Sequence, residues 1–167
     1  MDAKILKICP LSGTFEELYF DAYGETVCIK FEDQNYSEYC GIFGGGFGSK
    51  SDLAVHEHIA FIISRGQGYI FEINDRKVIY KTENDHLEGV FDTNFNNYFL
   101  AYDFTNLYIF DSKLVWSSKR ISADGIEIDK IEDGIVYGKV YNFFEWVKFT
   151  LNLETFEYIC DWECNLA

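Results

Sequence analysis

The chain of 167 residues is 48% apolar and 19% aromatic, which fills a core and excludes wholesale disorder. Its 28 acidic residues against 14 basic give a net charge of −14, excluding nucleic-acid binding through a basic surface. No run approaches the roughly 18 apolar residues of a membrane-spanning helix, and the length suits one domain, residues 1–167.

The first ten residues, Met1 to Pro10, lack the basic-then-apolar pattern of a secretory signal. Five cysteines (Cys9, Cys28, Cys40, Cys160 and Cys164) form an odd set without the dense spacing of a disulfide framework. Both observations point to free thiols in the cytoplasm. Thr14-Phe15-Glu16-Glu17 fits a helical capping box closed near Gly24, although Leu18-Tyr19-Phe20 suits a strand equally well. From Val27 onward, period-two alternation dominates. Val27, Ile29 and Phe31 alternate with Cys28, Lys30 and Glu32, the pattern of a half-buried antiparallel strand.

Gly44-Gly45-Gly46-Phe47-Gly48-Ser49-Lys50 follows a strand over Tyr39–Phe43. It misses the phosphate-loop spacing because Ser precedes Lys, and no helical pattern follows to complete a dinucleotide fingerprint. Its glycines are expected to let the loop adopt positive φ. His56-Glu57-His58 on a strand would point both imidazoles to one face, where a metal site could begin with thiolates from Cys160 and Cys164. A solvent-facing pair is the simpler reading, and no metal is expected.

An internal echo follows. Ile59–Ile63, a turn at Arg65-Gly66-Gln67-Gly68, Tyr69–Glu72 and Val78–Tyr80 make one unit. Tyr98–Tyr102, a turn at Phe104-Thr105-Asn106, Tyr108–Asp111 and Leu114–Trp116 make another, offset by 39 residues between Tyr69 and Tyr108. A third meander runs from Ile126 to Ile159, with Asp133-Gly134 as its hairpin turn. The spacing matches one four-stranded propeller blade. The expected fold is all-β: antiparallel meanders, as propeller-blade-like repeats or a two-sheet sandwich, with at most one short helix. Leu100, Tyr102, Ile109, Trp116, Ile128, Val147, Phe149 and Leu151 form its expected core.

Several stretches also resemble an uncharacterised bacterial family of small all-β proteins with blade-like repeats. They are Tyr39-Cys40-Gly41-Ile42-Phe43-Gly44, Gly66-Gln67-Gly68-Tyr69, Val115-Trp116-Ser117-Ser118, Arg120 to Ile126, and Trp146 to Leu153. The resemblance implies a bacterial, all-β protein and carries no activity.

No catalytic constellation emerges. Acidic pairs such as Glu16-Glu17 and Glu132-Asp133 read as solvated surface. Gly-x-Ser-x-Gly is absent, and an acidic chain offers little positive field to activate a cysteine. No catalytic residue, metal ligand or cofactor is assigned. The scarce arginines Arg65 and Arg120 lie at turns, and Arg120 is expected to join a local network with Ser122 and Asp124. Together with Gln67, Trp116 and Trp146, these arginines are the candidate contact residues. The abundant tyrosines suit a protein interface as well as a core. The expected function is non-enzymatic protein binding, as a bacterial inhibitor or immunity-type protein masking a basic partner. The alternative is a small-molecule or carbohydrate-binding β module.

Overall fold

In the computed structural model, which describes residues 2–162, the alternating segments become sixteen strands, with no helix among the described residues. The first eight are β1 (Asp2–Leu6), β2 (Glu16–Phe20), β3 (Thr26–Glu32), β4 (Glu38–Gly44), β5 (Asp52–His56), β6 (Ile59–Ser64), β7 (Gln67–Glu72) and β8 (Lys77–Lys81). The rest are β9 (Gly89–Asp92), β10 (Phe99–Tyr102), β11 (Leu107–Phe110), β12 (Leu114–Ser117), β13 (Ile126–Glu132), β14 (Ile135–Tyr141), β15 (Trp146–Asn152) and β16 (Tyr158–Cys160). They form four sheets of four strands, ordered β1-β3-β4-β2, β5-β6-β7-β8, β12-β11-β10-β9 and β13-β14-β15-β16. The blade-like echo is therefore structural. The chain divides into two compact units, residues 1–91 and 92–167.

In the first unit, alternation sends Val27, Ile29, Phe31, Tyr39 and Phe43 to one face of the first sheet. There they meet Ala60, Ile62, Tyr69 and Phe71 of the second. In the second unit, Leu100, Leu107 and Ile109 share a core with Ile126, Val136, Val140, Phe149, Leu151 and Leu153. Of the expected core, Leu100, Ile109, Phe149 and Leu151 are buried, whereas Tyr102, Trp116, Ile128 and Val147 are half-buried around its margin. Asp133 and Gly134 have φ of +50° and +74°, as a two-residue hairpin turn demands.

Four expectations change. The capping-box segment is a strand: Glu17 accepts the N–H of Gly13 (3.3 Å), and β2 pairs with β4 from Glu16 to Phe20. Burying Leu18 and Phe20 on a sheet outweighs a local helical preference. That β2–β4 pairing is parallel, an exception to the antiparallel meanders. The histidines do not share a strand face, because β5 ends at His56 and Glu57 turns the chain at φ +51°. Cys164 lies outside the described residues.

The glycine-rich loop also differs. Gly44 to Gly48 are absent from the positive-φ residues; the loop needs glycine for close approach. A Cβ on Gly44 would lie 1.8 Å from the Asp21 carbonyl oxygen, and one on Gly46 would lie 2.7 Å from that of Asp85. Backbone bonds from Gly45 N–H to Glu25 (2.8 Å) and Gly48 N–H to Arg65 (2.9 Å) fix these approaches.

Arg76 ties the far end of this unit. Its guanidinium pairs with Glu16 and with Asp33 (3.2 Å), and sits 4.5 Å over the Tyr39 ring. Asp33 is buried and accepts N–H bonds from Ser37 (3.0 Å) and Asn35 (2.8 Å). The Ser37 and Asn35 N–H groups and Arg76 hold its carboxyl below the ordinary value of 3.8, against the opposing effect of burial.

Two outcomes follow from this packing. Phe149→Ala removes a ring that is 2% exposed and should cost about 3–5 kcal/mol in urea unfolding. Because the folded pKa of Asp33 is depressed, its stabilising contribution is fully present above pH 3.8 and fades as pH falls through the folded value. Asp33→Asn should therefore lose stability at neutral pH and show a weaker acid dependence below pH 3.8, measured by denaturation across pH.

Candidate functional site

Three turns of the second unit are bonded into one end. In the β10–β11 turn, the Asp103 carboxylate accepts the N–H groups of Thr105 (2.7 Å) and Asn106 (2.8 Å). The segment 118–125 runs beside this turn, with Ile121 N–H donating to Thr105 O (2.9 Å) and Gly125 N–H to Phe104 O (2.8 Å). It then reaches β14: Ala123 N–H donates to Tyr141 O (2.8 Å), and Tyr141 N–H to Gly125 O (3.0 Å). The fully buried Ser122 donates its hydroxyl to the carbonyls of Gly125 (2.6 Å) and Tyr141 (3.1 Å). Arg120 clamps the segment by donating to the carbonyls of Ser122 (3.1 Å) and Ala123 (2.8 Å).

The β14–β15 turn completes this end. Asn142 Oδ1 accepts the N–H groups of Phe144 (3.0 Å) and Glu145 (2.9 Å), fixing a tight turn with two phenylalanines at its tip. Phe144 is 91% exposed and Phe143 53%; Phe104 and Trp146 are also exposed. Trp146 packs against Tyr141, ring centroids 5.6 Å apart, and lies over Gly125, whose Cβ would stand 3.1 Å from the indole. Phe143 adopts φ +80°, a conformation costly for an aromatic residue. The result is an apolar tip on a rigid support, flanked by Asp103, Asp124 and Glu145.

Tyr36, in the β3–β4 turn at φ +61°, likewise combines a strained backbone with an exposed ring. At the β14–β15 tip, by contrast, Phe143 is accompanied by Phe144 and Trp146.

The five residues singled out in the sequence are placed apart. In the first unit, Arg65 pairs with Glu25 (2.8 Å), and its stem covers Gly45. Gln67 is buried and donates to Thr82 O (2.8 Å) and Oγ1 (3.0 Å), stitching β7 to the chain after β8. In the second unit, Trp116 stacks on Phe156 at 5.7 Å and 12° beside the core. Arg120 holds the loop through the backbone carbonyls of Ser122 and Ala123. Trp146 alone of the five joins the aromatic tip. Phe143, Phe144 and Phe104 escaped the sequence reading. The available signal was Asn142-Phe143-Phe144-Glu145, an apolar pair where a hairpin turn ordinarily carries polar residues. Among the described residues, no group of three or more His, Cys, Asp or Glu is arranged to hold a metal ion.

No family model matches the chain, and no curated protein matches it. Solved structures do. The computationally designed Ika4 protein is similar at TM-score 0.54 and 9% identity, over 74% of this chain and 76% of that one. Hydrazine synthase of Kuenenia stuttgartiensis is similar at TM-score 0.54 and 10% identity, over 91% of this chain. The match spans only 53% of the hydrazine synthase chain. At such identities the likeness concerns the fold alone, a β-rich repeat of small sheets.

The tip should be nearly free of stabilising duty. Phe144→Ala is expected to change unfolding free energy by no more than about 0.5 kcal/mol. Phe143→Gly, which relieves the positive φ, should leave stability equal or raise it by up to about 1 kcal/mol. Paired chemical denaturation curves check both values.

Proposed function

We propose that the protein is a non-enzymatic protein-binding module that docks through the Phe143–Phe144–Trp146 tip. The observation that carries this reading is Phe143, an exposed ring held at φ +80°. Backbone strain spent on a solvent-facing aromatic has no return in folding, and strained residues cluster where a surface is kept for recognition. Aromatic anchors dominate binding energy at protein interfaces, and a preformed turn lowers the entropy lost on docking.

Charge supports a basic partner. The first unit has 15 acidic against 8 basic residues, and the second 13 against 6, so each carries a net charge of −7. Negative potential therefore belongs to the whole chain and suits long-range steering. We read the role as that of a small bacterial inhibitor or immunity-type protein, acting in the cytoplasm and masking a basic surface. Among the described residues, no helix is long and apolar enough to cross a membrane.

The Trp146–Tyr141 pair also suits a sugar ring, which makes carbohydrate binding the competing reading. Immobilised protein is incubated with host lysate at low and high salt, beside a Phe143→Gly/Phe144→Ala/Trp146→Ala variant. The expected result is a basic protein retained at low salt by the parent and lost by the variant. With the isolated partner, the variant should weaken binding at least about 30-fold, equivalent to about 2 kcal/mol. Equal retention by parent and variant, or a glycan array signal that vanishes with Trp146→Ala, would overturn the protein-binding reading.

A further inference from the structure

Cys9, Cys28 and Cys40 come from three separate segments yet line one cleft of about 240 Å³ beside Phe15, Tyr19 and Ile42. The cleft lies on the outer face of the first sheet, where Cys28, Cys40 and Ile42 pack beneath Leu6, Phe15 and Ala22. Strand register explains the convergence. Cys28 pairs with Ile42 and Lys30 with Cys40, so the two cysteines are diagonal neighbours on one face. Both are buried, whereas Cys9, in the segment after β1, is exposed. All three are free thiols in this structure. Burial pushes the Cys28 thiol up, with added contributions from Cys9 and Cys40; burial also pushes Cys40 up. The inner pair is thus kept protonated while Cys9 meets solvent.

We propose that this cleft is a thiol-oxidation site, in which a peroxide oxidises exposed Cys9 and buried Cys28 then closes a Cys9–Cys28 disulfide. The Cys9 thiolate attacks one peroxide oxygen and the O–O bond breaks. With hydrogen peroxide this yields Cys9 sulfenic acid and hydroxide, which takes the proton released by the thiol and leaves as water. The Cys28 sulfur then attacks the Cys9 sulfur, the S–O bond breaks, and the departing hydroxide takes the Cys28 proton as a second water. Two thiols are oxidised to one disulfide, and one hydrogen peroxide is reduced to two waters. The new bond would tie the β1–β2 connection to β3. Cys40, beside Cys28 on β4, is a bystander.

Reduced full-length protein is treated with hydrogen peroxide, quenched, alkylated and digested without reductant. The expected products are a mass loss of about 2 Da, for two hydrogens, and a linked peptide joining Cys9 to Cys28. Cys9→Ser should abolish that link, and Cys40→Ala should retain it. In Cys28→Ala, Cys9 should instead proceed to sulfinic and sulfonic acid. Because Cys9 is exposed, Cys9→Ser keeps the test decisive even if the buried variants fail to fold. Irreversible oxidation of Cys9 in the parent with Cys28 intact, a disulfide between any other cysteines, or persistence of the mass loss in Cys9→Ser would overturn the proposal.

Discussion

A four-stranded sheet cannot bury a face by itself; it needs another layer against it. In the first unit that need is met mainly by rings. Phe20 and Phe43 stack at 4.9 Å, Phe31 lies 4.9 Å from Phe71, and Phe43 meets Phe71 edge-on at 5.4 Å. Phe20, Phe31 and Phe43 come from the first sheet and Phe71 from the second, so the two contacts with Phe71 join the layers. Two tyrosines enter the same core because their hydroxyls find carbonyls: Tyr39 donates to Ile73 (2.5 Å) and Tyr69 to Gly44 (2.9 Å). Burial pushes both phenols up, Tyr69 to about 12. Neither ionises in the ordinary range, so the layer stays neutral at its centre despite an acidic exterior.

The surface elements depend on that rigidity. The glycines at 44–48 let the chain pass within van der Waals limits of Asp21, Arg65 and Asp85, and the carbonyl of Gly44 receives Tyr69. In the second unit, the core of Leu107, Val140 and Leu151 holds the strands whose turns carry the aromatic tip. The tip is exposed, but its backbone is held by the side-chain amide of Asn142 and by the Ser122–Arg120 clamp. A recognition surface can then present apolar rings without surrendering their placement.

Much of the architecture was legible because β-structure writes itself in period two. Val27–Phe31, Phe149–Leu153 and the Asp133-Gly134 turn each carry their own local cue. The misreadings share a different cause. Nothing within Thr14–Phe20 reveals that β4 will offer a parallel partner, and nothing within Gly44–Gly48 reveals three neighbouring backbones. Trp146 was legible as a large aromatic at a strand end. Phe143 and Phe144 were read past because strand alternation absorbs aromatic residues readily. Their exposure depends on the turn formed by Asn142, which local hydrophobicity does not disclose.

The order of the first sheet imposes a schedule on its assembly. β1 pairs with β3, and β2 with β4, so neither of the first two strands has its partner when it leaves the ribosome. A hairpin of β1 on β2 is closed to this sheet: β1 waits for β3, and β2 for β4. The other three sheets join strands that are consecutive in the chain and can grow as each strand is synthesised. β1 and β2 thus become the two edges of their sheet, and the connection between them lies over its outer face, on Cys28, Cys40 and Ile42.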